Sequence, residues 1–264
     1  MELKAKKSLG QNFLKDEDVL NRIVEAANLS KDDVVIEIGP GLGALTEKLV
    51  EKCSKVIAIE IDDRLIEPLH TKFVGIQNVE ILHDDILKIN LPELISEKLK
   101  VESYKVVANI PYYITAPIIR LLLETKYPPK EIILMVQKEV AERIVSKPGE
   151  MSILAVSVQY YSKAQFLFTV FKESFDPRPK VDSAIIKISN LKSQISNQDE
   201  TKKFFRFVKA GFSAKRKTLV NNLSSSLQLD KKEVEEKLLS LGFSGNTRAQ
   251  ELGVEDWKKV ADSF

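Results

Sequence analysis

The sequence predicts an α/β protein: a mostly parallel sheet flanked by helices, followed by a small C-terminal all-helical domain. Three observations predict it. Short apolar runs alternate with amphipathic segments up to residue 146, the first run leads into a glycine-rich loop that opens a helix, and residues 201–264 show helical patterns without a convincing strand. Residues 16–28 carry Val19, Leu20, Ile23, Val24 and Ala27 at helical spacing, with Asp16 placed to cap them. Strand-like runs follow at 34–38, 56–61, 79–82, 104–108 and 132–136, with helix-like segments at 43–52, 62–72, 114–125 and 138–146. Such alternation marks βαβ units around a parallel sheet. Beyond residue 150, SILAVSVQYY reads as another helix, while AQFLFTVF and SAIIKIS alternate as strands on either side of FDPRPKVD and predict a hairpin-like antiparallel edge. The polar stretch KSQISNQDE at 192–200 reads as a linker, which divides the chain into domains 1–191 and 192–264.

Composition excludes several classes of function. Among the 264 residues, 44% are hydrophobic and 30% charged, the balance of an ordinary globular protein. No apolar stretch has the roughly 18 residues of a membrane span, and residues 1–14 lack the apolar core of a secretion signal, so a cytoplasmic protein without membrane association is expected. The single cysteine, Cys53, precludes an intrachain disulfide, and with only His70 and His83 beside it a Cys/His metal site is not expected. A net charge of +2 is too mild to imply nucleic-acid binding by itself; a clustered basic face is needed.

The strongest local signal is VVIEIGPGLGALT at 34–46. Gly39, Gly41 and Gly43 let backbone approach a ligand closely, and the helix N-terminus behind them favours negative groups. Gly39-x-Gly41-x-x-Ala44 also satisfies the nicotinamide fingerprint, so the loop alone leaves the cofactor open. The next strand ends in Glu60, at the acidic position that pairs with ribose hydroxyls. The third leads to Asp84 and Asp85, either of which offers an acceptor for an adenine amino group. The fourth ends in Asn109-Ile110-Pro111-Tyr112. A hydride-transfer enzyme has no need of that element, and no Lys/Tyr or His hydride-transfer arrangement accompanies it.

An exocyclic adenine nitrogen is a poor nucleophile because its lone pair is delocalised into the ring. Two acceptors holding its hydrogens, the Asn109 side-chain oxygen and a main-chain carbonyl near Ile110, favour a pyramidal nitrogen aimed at a sulfonium methyl. Pro111 fixes φ and presents that carbonyl rigidly. Tyr112 offers a flat ring for an extruded base. Alignment for in-line displacement then supplies most of the barrier reduction, without a strong base. These residues point to S-adenosylmethionine as cofactor and to an adenine amino group as acceptor.

Five motifs, LGQNFL (9–14), EIGPGLG (37–43), NIPYY (109–113), QKEV (137–140) and SFDPRPKVDS (174–183), stand in the order seen in one family. From about Lys7 to its C-terminus the chain resembles the small-subunit ribosomal RNA adenine dimethyltransferases. The resemblance implies a Rossmann-like class I methyltransferase sheet and the dimethylation of two adjacent adenosines near the 3′ end of that RNA. It also implies a small-subunit ribosomal RNA or an immature small subunit as partner, with the enzyme expected as a monomer. By the resemblance, Asn12 and Leu14 close over the cofactor, Gly39 faces its methionine part, Glu60 holds the ribose and Asp85 the adenine amino group. Asn109 lies beside both cofactor and target, and Phe175 stacks on the target base opposite Tyr112. Leu9 replaces an aromatic found in many relatives, and Tyr113 stands where some have another polar residue; Tyr113 is assigned no role.

A basic surface completes the reading. Lys4, Lys6 and Lys7 stud the N-terminus, Lys202, Arg206 and Lys209 fall on one helix face opposite Phe204, Phe205, Val208 and Phe212, and Lys215-Arg216-Lys217 follows. Beside an adenine-modifying site these residues are expected to contact phosphates. A related large-subunit RNA methyltransferase and a non-catalytic RNA-binding factor are the alternatives. FDPRPKVDSA and GFSAKRKTLVNNL favour the small-subunit enzyme over the first, and the intact Asn109–Tyr112 element argues against the second.

Overall fold

The computed structural model describes residues 5–6, 9–191 and 198–264. Lys4, Lys7 and residues 192–197 of the expected linker lie outside the described residues. The strands are β1 (Phe13–Leu14), β2 (Val34–Ile38), β3 (Lys55–Glu60), β4 (Val79–His83), β5 (Lys105–Asn109), β6 (Glu131–Gln137), β7 (Lys163–Val170), β8 (Phe175–Asp176) and β9 (Ser183–Ser189). Seven of them form one sheet in the order β4-β3-β2-β5-β6-β9-β7. The first five in that order are parallel, and β9 joins β6 and β7 antiparallel. Strand order reverses between β2 and β5, which opens the crevice where α/β sheets take ligands.

The late strands differ from the expected hairpin-like edge: β9 lies inside the sheet and only β7 is outermost. Burial explains the order. Ile185, Ile186 and Ile188 of β9 are fully buried, as a strand covered on both faces requires, whereas β7 is mostly half-buried. A second element has no counterpart among the expected strands, a two-stranded antiparallel ribbon pairing Phe13 with Asp176 and Leu14 with Phe175.

Helices α1 (Glu17–Ala27), α2 (Ala44–Val50), α3 (Asp63–Lys72), α4 (Leu91–Glu93), α5 (Thr115–Glu124) and α6 (Lys138–Ile144) alternate with the strands, and α4 continues as a π-helical turn over Leu94–Leu99. Asp16 caps α1 by accepting from Val19 N. At the other end the Lys105 ammonium donates to Ala27 O and Asn28 O and pairs with Asp33, so a buried cation closes the negative end of the helix. Val19, Leu20, Ile23 and Val24 of α1 share one core with Val107, Ile133 and Ile185 of the sheet.

The chain separates into two compact units, one of residues 1–141 with 162–194 and one of 142–161 with 195–264. Residues 142–161 thus group with the helical unit and not with the sheet, unlike the expected division at 191/192. The cause is α7 (Ile153–Tyr161), whose Ala155, Val156 and Tyr160 join one core with residues of α8 (Gln198–Gly211), α9 (Leu219–Leu227), α10 (Lys231–Ser240) and α11 (Val254–Asp262). Tyr160 stacks on Phe204 at 4.2 Å, and Trp257 is fully enclosed. A Cβ at Gly211 would come within 2.3 Å of Trp257, which is why no side chain is present there. No helix among the described residues is long and apolar enough to cross a membrane.

Candidate active site

The carboxyl ends of β2 to β5 open onto a single cavity of about 270 Å³ in the sheet unit. Its walls include Asn12, Leu14, Gly39, Gly41, Glu60, Asp85 and the run Asn109, Ile110, Pro111 and Tyr112. Every predicted site residue except Phe175 is therefore brought together.

After β2 the chain turns through Gly39, Gly41 and Gly43, all at positive φ. The space around two of them explains the residue type. At Gly43, the left-handed cap of α2, a Cβ would lie 2.9 Å from the Phe73 ring; at Gly41 it would lie 3.2 Å from Phe13. The turn also aims Gly41 N–H at the Glu60 carboxylate, 3.1 Å away. The other Glu60 oxygen accepts from Ile61 N and Asp62 N at 2.9 and 2.8 Å. Glu60 is 4% exposed, and burial raises its pKa against the pull of these three donors. It is a rigid acceptor at the cavity wall.

Asp84 and Asp85 resolve differently. Asp84 is exposed and caps Asp85 N at 2.7 Å; Asp85 is half-buried, with one oxygen accepting from Leu87 N at 3.0 Å and the other near Lys88.

At the tip of β5 the Asn109 amide is half-buried and has no hydrogen-bond partner among the described residues. Pro111, at φ −58° and ψ 134°, turns the chain out of the strand. Pro111 O is taken by Ile114 N and Tyr112 O by the Thr115 hydroxyl, while Ile110 O accepts no hydrogen bond among the described residues. The Tyr112 hydroxyl lies 2.6 Å from Ser183 Oγ, and burial pushes its pKa up.

Sequence reasoning assigned no role to two side chains that shape this site. Glu37 is 1% exposed, its Oε2 has no partner among the described residues, and burial pushes its pKa up to about 8. Gln11 donates to Asp62 Oδ2 at 2.7 Å, tying the N-terminal segment to the residue beside Glu60. The hydrogen-bonding Arg64 guanidinium holds the buried Asp62 carboxyl far below the usual carboxylate range. The only sequence signal for this link was the Glu60-x-Asp62 spacing at the start of α3.

One expected role is corrected. Phe175 is 3% exposed, paired with Leu14 in the β1–β8 ribbon and packed against the core of Leu14, Leu20 and Val170. It is not part of the cavity wall. The ring is enclosed in that core and is not exposed to the cavity. Asn12 does line the cavity, with its amide donating to Gly10 O at 3.1 Å.

These residues fit S-adenosylmethionine. Glu60 would offer a carboxylate to ribose hydroxyls, and Asp85 lies beside the exposed apolar Ile61 and Leu87 in a wall that would suit a purine. Among the described residues no group of His, Cys, Asp or Glu is placed to hold a metal.

Sheet order, glycine turn and the Asn-Ile-Pro-Tyr tip together define a Rossmann-like, S-adenosylmethionine-dependent methyltransferase acting on an amino group. The ribosomal RNA adenine dimethylase family matches residues 2–264, and the chain belongs to that family. Its chemistry is the dimethylation of adenine in ribosomal RNA. The chain is 44% identical over 258 residues to ribosomal RNA small subunit methyltransferase A of Dehalococcoides mccartyi (strain CBDB1), covering 98% of this chain and 88% of that one. It is 42% identical to the Geobacillus kaustophilus (strain HTA426) protein of the same name, covering 98% and 90%. Among solved structures, a dimethyladenosine transferase from Plasmodium falciparum superposes with a TM-score of 0.79 at 29% identity, over 94% of this chain and 95% of that one. The 23S rRNA methyltransferase ErmE superposes with 0.76 at 28%, over 96% and 99%.

Proposed function

We propose that this enzyme transfers two methyl groups to the N6 nitrogen of each of two adjacent adenosines near the 3′ end of small-subunit (16S) ribosomal RNA. The choice of small subunit rests on the names of the relatives that match nearly the whole chain at 42–44% identity. The chemistry rests on one observation: the Asn109 amide and the Ile110 carbonyl, neither with a hydrogen-bond partner among the described residues, share a cavity wall with Glu60 and the glycine turn.

The residues then act as follows. Glu60 and Asp85 accept from the ribose hydroxyls and adenine amino group of the cofactor, and Asn12 and Leu14 cover it. When bound, S-adenosylmethionine supplies an electrophilic methyl on a sulfonium. Asn109 Oδ1 and Ile110 O accept the two hydrogens of the target amino group, which localises its lone pair. Pro111 keeps that carbonyl in place, and the Tyr112 ring supports the base. The proton leaves to solvent, since Tyr112 is a neutral phenol with a raised pKa. After one transfer a single N–H remains, and either acceptor can hold it for the second.

Incubation with labelled cofactor and small subunits lacking the modification, followed by mapping, tests this reading. Two adjacent dimethylated adenosines near the 3′ end are expected. Asn109→Ala is expected to keep most of its cofactor affinity while losing about a hundredfold or more in rate, as misalignment of reacting atoms implies. Label on large-subunit RNA would overturn the substrate, and full turnover by Asn109→Ala the acceptor site.

A further inference from the structure

Tyr112 opens a turn of three residues, Tyr112–Ile114, in which Tyr112 and Ile114 are half-buried and Tyr113 is exposed. A half-buried ring on so short a turn still has two side-chain bonds to fix, and its hydroxyl end is where a fixed partner has the most leverage. That partner lies 71 residues away. The Tyr112 hydroxyl is 2.6 Å from Ser183 Oγ, and Ser183 is 0% exposed.

Ser183 is held from both sides. It is the first residue of β9, opposite Gln137 of β6 and Val170 of β7 in the two antiparallel ladders. Its neighbour Asp182 is fixed too, with its main-chain oxygen accepting from Lys138 N at 3.0 Å and its carboxylate from Lys172 N at 3.1 Å. A serine placed this way is a fixed anchor, while the tyrosine is mounted on a short turn. The hydrogen bond therefore transmits the rigidity of the sheet to the far end of the ring.

We propose that Ser183 is a positioning residue for methyl transfer, its hydroxyl fixing the plane of the Tyr112 ring against which the target adenine rests. This inference depends on the base-supporting role of Tyr112 set out above. The Ser183 hydroxyl touches neither cofactor nor base; it acts through the ring. A neutral hydrogen bond of this kind carries about a 3- to 10-fold effect on an equilibrium or rate.

The test is a cycle of Ser183→Ala, Tyr112→Phe and the double variant, with Ser183→Thr as the hydroxyl-retaining control and Tyr112→Ala as the ring deletion. Single-turnover methyl transfer to small subunits is measured alongside cofactor affinity by calorimetry, RNA KM and thermal unfolding. Ser183→Ala and Tyr112→Phe should each slow transfer about 3- to 10-fold with cofactor affinity and KM unchanged within about twofold. The double variant should be no slower than either single one, and Ser183→Thr should recover the rate. Full-rate transfer by Ser183→Ala, or losses that multiply in the double variant, would overturn the proposal. Should Ser183→Ala fail to fold, Tyr112→Phe and Ser183→Thr decide: a fully active Tyr112→Phe, or a Ser183→Thr slower than Tyr112→Phe, sinks it. Tyr112→Ala separates the two claims. If it keeps full activity, the supporting role of the ring falls and the Ser183 role with it; if it is slow while Ser183→Ala is not, only the Ser183 role falls.

Discussion

The Glu37 carboxyl, enclosed and with one oxygen unpaired, is held neutral by burial, with the Glu60 charge adding to the effect. Its pKa rises from 4.5 to about 8 in the folded protein. A raised folded-state value means that the group's contribution to stability is complete below pH 4.5 and is lost as pH climbs through 8. Glu37→Gln mimics the neutral acid and removes the titration. Ligand-free Glu37→Gln should therefore gain in Tm relative to the parent as pH rises from about 5 to about 8, and parallel profiles in thermal unfolding would rule out a neutral Glu37. Glu60 offers a contrasting case. Its two oxygens accept three main-chain N–H groups, so the carboxylate is oriented before any ligand arrives. Glu60→Ala should weaken S-adenosylmethionine binding by about 1.5–3 kcal/mol, the cost of losing hydrogen bonds to a charged group. Calorimetry showing unchanged affinity removes Glu60 from the ribose site.

Elements decide which of these residues meet. The strands were legible because each is a short apolar run closed by turn residues, and the site residues Gly39, Glu60, Asp85 and Asn109 because they sit at or just past the tips of successive runs. The β1–β8 ribbon was not legible: it is two residues long on each side and joins the N-terminal segment to a distant loop, too short for any period to show. That is also why the burial of Phe175 does not show in the sequence, since its core partners Leu14, Leu20 and Val170 are brought together only by the fold. The Gln11–Asp62 and Tyr112–Ser183 bonds escaped for the same reason, linking residues 51 and 71 apart without a local signature. The glycine turn reads from the sequence as a ligand loop, and packing also constrains it. Gly43, at φ 75°, caps α2 at a point where a Cβ would run into Phe73 and Leu69. Gly43→Ala combines left-handed strain with a clash, and should cost about 1–3 kcal/mol in urea unfolding. A loss near zero would mean that α3 shifts easily to make room.

On the scale of the whole molecule, the sheet unit carries the chemistry and the helical unit carries exposed basic residues. Arg206 and Lys209 stand on the outer face of α8, opposite buried Phe204, Phe207 and Val208, and Lys215, Arg216 and Lys217 are exposed just beyond it. Lys202 is tied to Asp199 at 3.4 Å, a surface pair of little energetic weight that leaves its charge accessible to phosphate. With a net charge of only +2, long-range attraction to RNA is weak, so RNA binding is expected to depend on such local clusters. Cations that pair with phosphates release counterions, and each cation removed from that set lowers the slope of log affinity against log salt by about 0.7 on single-stranded nucleic acid. Reversing Lys215, Arg216 and Lys217 to glutamate should therefore flatten the slope by about 2 in a filter-binding series on small-subunit RNA. None of the three lines the cavity, so cofactor affinity should stay at the parent value, which separates a weakened hold on RNA from a damaged fold. An unchanged slope with weaker binding would mean that these residues act on the fold of the helical unit and not on phosphates.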